Sequence, residues 1–239
     1  MFDISLITSQ VLNGIVLGFL YVLIAVGLSI IFGLLGLVDF AHGAFFALGA
    51  YFALTLRPHI GDLWLILLSP ILVGCLGMIV ERTLLKPLYN KEPLLGLIFT
   101  FGLALFTGEA IRTVWGSIGQ PYDAPSIFSG FVDYGPILVT VYRLAVLGIT
   151  VAILIGLWLF LEKTRMGNII RAGSRDPDMV RLLGINIPRV FTFVFGLGCA
   201  LAGLAGVLAA PLWSVDPSMG QNAIMPAFVV VVIGGLGSL

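Results

Sequence analysis

Seven apolar runs, at residues 11–34, 40–56, 63–80, 94–114, 137–161, 190–212 and 223–239, leave this chain few ways to fold. A helix needs about 20 apolar residues to cross a hydrocarbon core roughly 30 Å thick. Backbone polar groups must be bonded internally there, so only helices or a closed barrel can span. Barrel strands alternate apolar and polar residues, whereas these runs are apolar on every face and too long. They predict an all-α polytopic transmembrane bundle of about seven spans in one domain, residues 1–239. The short second run, rich in Gly and Ala, is the one whose geometry is least constrained. Only 10% of residues are charged, against about 25% in a soluble domain, so the exterior calls for lipid as its solvent. The formal net charge is +0, which excludes a bulk basic field and nucleic acid as a partner. The first Lys or Arg is Arg57, so the first run reads as a retained span and not a cleaved signal peptide.

Charge orients the bundle. Nine of the twelve Lys and Arg fall in two loops, 81–93 and 162–189. With seven spans both loops lie on one side, which the positive-inside rule makes cytoplasmic. The N-terminus is then outside, and Trp64, Trp115 and Trp213 all fall at outer ends of spans, as an aromatic belt requires. Small residues recur every fourth position at Gly198, Ala202, Gly206 and Ala210, and at Ala25, Ser29 and Gly33. Lipid gives helices no hydrophobic reason to associate, so such stripes predict close helix packing. Cys75 and Cys199 read as two buried small hydrophobes.

Two segments interrupt this pattern with chemistry. In the first, which also holds Phe40, the residues Gly33, Gly36, Asp39, His42 and Gly43 break a nearly continuous apolar sequence. The glycines let the chain leave helical geometry, and Asp39 can accept from backbone N–H groups at the next helix start. The segment is either a tight turn with a locally bonded His42 near the inner interface or a broken helix lining a translocation path. In the second, Asp176 is a good N-cap, Pro177 suits the first helical position and Asp178 complements the helix dipole. Gly184 suits a left-handed C-terminal cap. This specifies a two-turn helix from Pro177 to Leu183 with Met179, Val180, Leu182 and Leu183 as its apolar surface. A helix this short is marginal in water, so it docks either on its own spans or on a cytoplasmic partner.

The chain has no G-x-x-x-x-G-K-[ST] phosphate loop and no H-E-x-x-H zinc motif. No catalytic residue, metal ligand or cofactor site is expected. Glu109 and Arg112, three apart on one helical face, read as a mutual ion pair.

These residues resemble the branched-chain amino-acid ABC importer permeases and the related permeases for urea and short amides. The similarity runs through Asn13 to Gly27, Phe40-Ala-His-Gly43, Thr164-Arg-Met-Gly167, Asp176 to Asn186, Ala202 to Leu208 and Gly234-Gly-Leu-Gly-Ser238. It implies a non-enzymatic inner-membrane subunit paired with a second, related permease. It also implies two cytoplasmic ABC ATPase subunits and an extracytoplasmic substrate-binding protein. In the family, the ATPase couples at the segment holding Asp176, Pro177, Asp178, Met179, Leu182, Leu183 and Gly184, within the loop 162–189. A stand-alone secondary carrier is the competing reading. Family members continue for a few dozen residues past the Gly-Gly-Leu-Gly-Ser stretch, so a shortened C-terminus is expected at Leu239.

Overall fold

A computed structural model of the chain describes residues 4–89, 91–133 and 138–235. The described residues are almost entirely helical, in chain order α1 (Ile4–Leu35), α2 (His42–Leu56), α3 (Asp62–Val80), α4 (Pro93–Trp115), α5 (Val141–Lys163), α6 (Arg165–Arg175), α7 (Pro177–Leu182), α8 (Ile187–Trp213) and α9 (Met219–Gly234). A two-stranded antiparallel hairpin, β1 (Phe131–Asp133) with β2 (Leu138–Thr140), precedes α5. Five of the described helices, α1, α3, α4, α5 and α8, are long and apolar enough to cross a membrane. The expected spans differ at their ends: α1 begins at Ile4, seven residues before the first apolar run. Ile137 and residues 236–239, which were assigned to the fifth and seventh spans, lie outside the described residues.

Two expected spans are short. Helix α2 has 15 residues, about 22 Å at 1.5 Å per residue, less than the hydrocarbon thickness. It persists because protein surrounds it: α1, α3, α4, α8 and α9 all pack on it, and Phe46, Ala50 and Ala53 are fully buried. Helix α9, with 16 residues, is the other.

Helix α8 is the hub, packing most extensively on α3, α2 and α1. Its small-residue stripe is what allows this. A Cβ on Gly206 would collide with the Phe46 carbonyl oxygen of α2, and one on Gly203 would lie 2.8 Å from Val73 Cβ of α3. One on Gly198 would lie 2.6 Å from Ile31 Cδ1 and 2.9 Å from the Gly27 carbonyl oxygen of α1. The obstacles include backbone atoms of neighbouring helices, which cannot rotate aside. Cys199 is buried on this same helix, but Cys75 is exposed on α3, contrary to the expectation of two buried thiols; both are free. Cys75 lies on the outward face with Ile71 and Ile79, where an apolar thiol contacts lipid as readily as a methyl group would.

Helices α4 and α5 are peripheral. Phe101 and Phe106 on α4 and Ile155 and Trp158 on α5 are largely exposed, as lipid-facing or partner-facing residues are. The anticipated Glu109–Arg112 pair forms at 2.7 Å on the exposed side of α4. At the opposite end of the bundle from the basic loops, Trp115 Nε1 donates to Thr55 Oγ1 at 2.8 Å. A backbone bridge between Gln120 and Val215 ties the α4–β1 connection to the α8–α9 turn.

Overpacking a core typically costs about 1–3 kcal/mol, and these contacts lie at the severe end because backbone is in the way. Gly206→Leu should therefore lower the detergent melting temperature and the monodisperse yield. Gly148→Leu, on α5 with open space at its Cα, should leave both at wild-type level. Equal behaviour of the two variants in size-exclusion chromatography and thermal melting would refute the stripe as the packing seam.

Candidate functional site: an interrupted helix beside an apolar cavity

The link from α1 to α2 is short and built from specific residues. Gly33 stays inside α1, so it does not break the helix as its type suggested; the exit is made at Gly36, whose φ is +63°. L-residues avoid that region because of their Cβ, and glycine does not. The Gly36 N–H still donates to the Phe32 carbonyl at 2.8 Å, closing the last turn of α1. Residues 37–41 then cross to α2, pinned by the buried Thr100 of α4, whose hydroxyl donates to the Val38 carbonyl at 3.2 Å and accepts from the Phe40 N–H at 3.4 Å. Sequence reading missed Thr100, since one threonine in an apolar run carries no signal until its neighbour is known.

Asp39 accepts from the Ala41 N–H through Oδ1 at 3.0 Å, two residues on, as anticipated. It is enclosed by protein, only 1% exposed. Its second oxygen, Oδ2, lies 3.7 Å from Nδ1 of the fully buried His42, beyond hydrogen-bond distance. His42 is not locally bonded either, because neither ring nitrogen has a partner. The imidazole points toward α1 and α8: a Cβ on Gly27 would lie 3.0 Å from His42 Nε2. The buried carboxylate and imidazole thus share the entrance to α2 with backbone close-packing on both sides.

On the opposite side of the same turn is an apolar cavity of about 260 Å³ between α2, α4 and α9. Phe40 and Gly43 line it, with Phe101, Leu105, Ile224 and Met225 among its walls, and Gln221 supplies its one polar side chain. Phe40 is held edge-on to Phe101, ring centroids 6.1 Å apart, and stacks near Phe228 at 6.3 Å. Gly43 is needed because α9 runs against it: a Cβ there would strike the Gly220 carbonyl oxygen. Of the five residues expected along a path, Phe40 and Gly43 reach this cavity, whereas Gly33, Gly36 and His42 do not line it.

The second candidate segment lies at the basic end of the bundle. Asp176 Oδ1 accepts from the Met179 N–H at 2.9 Å, and Pro177 occupies the first turn of α7. Gly184 adopts φ +81°, so the cap chemistry is as the sequence specified, with the helix ending at Leu182, one residue before the expected Leu183. Its apolar side is divided: Val180 is buried against its own chain at 4% exposure, while Met179, Leu182 and Leu183 are 56%, 81% and 74% exposed. Helix α6, not foreseen, supports it; its cap is Thr164 Oγ1, accepting from the Gly167 N–H at 3.1 Å.

Glu81, expected only as a loop boundary, is fully buried at the inner end of α3, where the helix widens into a π-turn over Glu81–Leu85. Its carboxylate accepts from the Tyr89 hydroxyl and from Thr192 Oγ1 of α8. Burial pushes the Tyr89 hydroxyl pKa well up, and the Glu81 hydrogen bond and charge add to it. A lone glutamate after an apolar run looks like an interfacial charge, so only its two donors reveal the anchor. Through Thr192 the start of α8, which follows α7, is tied to α3.

A polytopic helical bundle with an interrupted helix beside an apolar cavity and a capped helix on its basic end is the architecture of a membrane transport subunit. The family model described as branched-chain amino acid transport system / permease component matches residues 10–239, and the chain belongs to that family. It is similar to the high-affinity branched-chain amino acid transport system permease protein LivH of Salmonella typhimurium, at 32% identity over 96% of this chain and 79% of the relative. LivH of Escherichia coli K12 is 31% identical over the same shares. The corresponding permease protein BraD of Pseudomonas aeruginosa is 30% identical over 96% of this chain and 80% of its own. No solved structure matches this chain.

Removing the Asp39 carboxylate strips the acceptor from a buried N–H, which costs about 1–3 kcal/mol. Asp39→Ala should therefore lower the melting temperature in detergent by more than Asp39→Asn, which keeps an oxygen at Oδ1. Identical melting of the two variants would show that the bond to the Ala41 N–H is not what Asp39 contributes.

Proposed function

We propose that this chain is the translocating subunit of an ATP-driven importer for branched-chain amino acids. ATP is hydrolysed on two separate ABC subunits, ligand arrives from an extracytoplasmic binding protein, and a second, related permease completes the pore in the inner membrane. The observation that carries this is the family match across nearly the whole chain to relatives named for branched-chain amino acid transport. The cavity supports the substrate class. Its walls are apolar except for Gln221, which suits an aliphatic side chain, because polar groups buried without partners cost free energy. Phe40 and Gly43 belong to the path itself; Gly36 and His42 flank the turn that presents them, and Gly33 lies back within α1.

Helix α7 is the coupling element. Met179, Leu182 and Leu183 form an apolar ridge projecting from the basic end, a surface that inserts into grooves when an amphipathic helix finds a partner. Asp176, Pro177, Asp178 and Gly184 hold that ridge in shape. Force applied to α7 reaches α8 directly and α3 through the Thr192–Glu81 hydrogen bond.

Vesicles holding the reconstituted complex should take up labelled leucine on addition of ATP, and uptake driven by an ion gradient without ATP would overturn the proposal. In the same preparation, Leu182→Ser with Leu183→Ser should loosen or uncouple the ATPase, since burying each leucine is worth about 1.5–3 kcal/mol. Ligand-stimulated hydrolysis and ATPase co-purification report this, and wild-type values for both would make α7 an ordinary loop helix.

By the positive-inside rule the basic end faces the cytoplasm and the N-terminus lies outside. Single cysteines in a background lacking Cys75 and Cys199 test this in intact cells with a membrane-impermeant thiol reagent. Position 123 should label and positions 86 and 171 should not; the reverse pattern inverts the topology.

A further inference from the structure

We infer that the groove between the basic ends of α3 and α8 is a binding site for the headgroup of an anionic phospholipid. Three cations converge there. Arg82 and Lys86 come from the irregular helical extension of α3 and Arg189 from the first turn of α8, around a hollow of about 280 Å³. None of the three belongs to the ion pairs formed among the described residues, which use Arg57, Arg112 and Arg171. The nearby Glu81 is buried and bonded to Tyr89 and Thr192, forms no ion pair with the three cations, and as a single carboxylate could offset only one of their charges. Three like charges this close repel one another, an anion among them would relieve that repulsion, and the side chain of Asn186 adds a polar group at the rim.

The apolar surroundings say which anion. Ile71, Cys75 and Ile79 are exposed along one face of α3, at helical spacing, and that face runs directly into Arg82 and Lys86. Phe193 on α8, also exposed, and Met78 line the same hollow. An apolar track of more than two helical turns that ends in a cationic groove has the shape of a phospholipid: acyl chain along α3, phosphate among the three cations. A free phosphate would have no use for the track, and an acidic protein surface would not reach along it into the bilayer. Basic pockets between spanning helices on the cytoplasmic side bind anionic lipid headgroups elsewhere by the same electrostatics. The site adjoins the α7–α8 junction, so an occupied groove would brace the root of the coupling helix. The binding itself rests only on the membrane location of the bundle.

The test is lipid binding to the purified full-length chain in neutral detergent, read by native mass spectrometry. Phosphatidylglycerol should bind, phosphatidylcholine should not, and millimolar inorganic phosphate should not displace the lipid. Each neutralised cation near a membrane surface is worth about fivefold in affinity and the three together about a hundredfold. Arg82→Gln, Lys86→Gln and Arg189→Gln together should weaken phosphatidylglycerol binding by about that factor, and each alone by its share. A matched loss of three charges elsewhere, Lys163→Gln, Arg165→Gln and Arg175→Gln, should leave it near wild type. Melting without lipid confirms folding, and the single variants carry the test if the triple variant is unstable. Equal loss in both triple variants would reduce the effect to a general field, and displacement by phosphate would make this a free-anion site. Phosphatidylglycerol binding that survives in the Arg82→Gln, Lys86→Gln and Arg189→Gln variant would place the lipid elsewhere; any of the three overturns the proposal.

Discussion

Close approach of helix backbones along α8 is the constraint on which the rest of this structure depends. In lipid there is no hydrophobic gain from bringing two apolar helices together, so association relies on van der Waals contact at short range. Gly198, Gly203 and Gly206 bring α8 against α1, α3 and α2 at distances that no side chain would permit. With α8 in that position, α2 is enclosed by protein on all sides. A helix too short to span the hydrocarbon is stable there because protein, rather than lipid, meets its ends. The interrupted α1–α2 connection is tolerated for the same reason: irregular backbone at depth survives only where protein or a cavity supplies its hydrogen bonds, and here Thr100 and Asp39 supply them.

That enclosure separates two roles within a few residues. His42 and Asp39 turn into the packed seam between α1 and α8, where they shape the entrance to α2. Phe40 and Gly43 turn to the cavity between α2, α4 and α9. The break in the helix therefore does double service, placing polar chemistry in the seam and an aromatic and a glycine at the cavity wall.

At the basic end the parts form one mechanical unit. Val180 anchors α7 to the chain while its exposed leucines face outward, α8 begins immediately after it, and the Glu81 carboxylate joins α8 to α3. The cationic groove lies at that same junction, beside the start of α8. The capped helix would be marginal alone; the buried Val180 and the support of α6 give it a fixed place from which to act.

Much of this was legible in the sequence because the information was local. Apolar runs longer than a barrel strand needs, a cap residue followed by proline, and a glycine at a left-handed position each depend on a few neighbouring residues, so the helical membrane fold and the outline of α7 followed from them. The motifs spread along the chain likewise determined the family. The three-dimensional structure decided what depends on partners distant in sequence. Gly33 lies within α1 while Gly36 makes the exit, Val180 turns inward while Leu182 turns out, and Cys75 faces outward while Cys199 is buried. Glu81 and Thr100 were silent in the sequence because a polar residue in an apolar run means nothing until its donor or acceptor, up to 111 residues away in the chain, is brought against it. Backbone hydrogen bonding and lipid exposure are imposed residue by residue, whereas close packing of helices is a property of pairs, and only the assembled bundle determines which pairs meet.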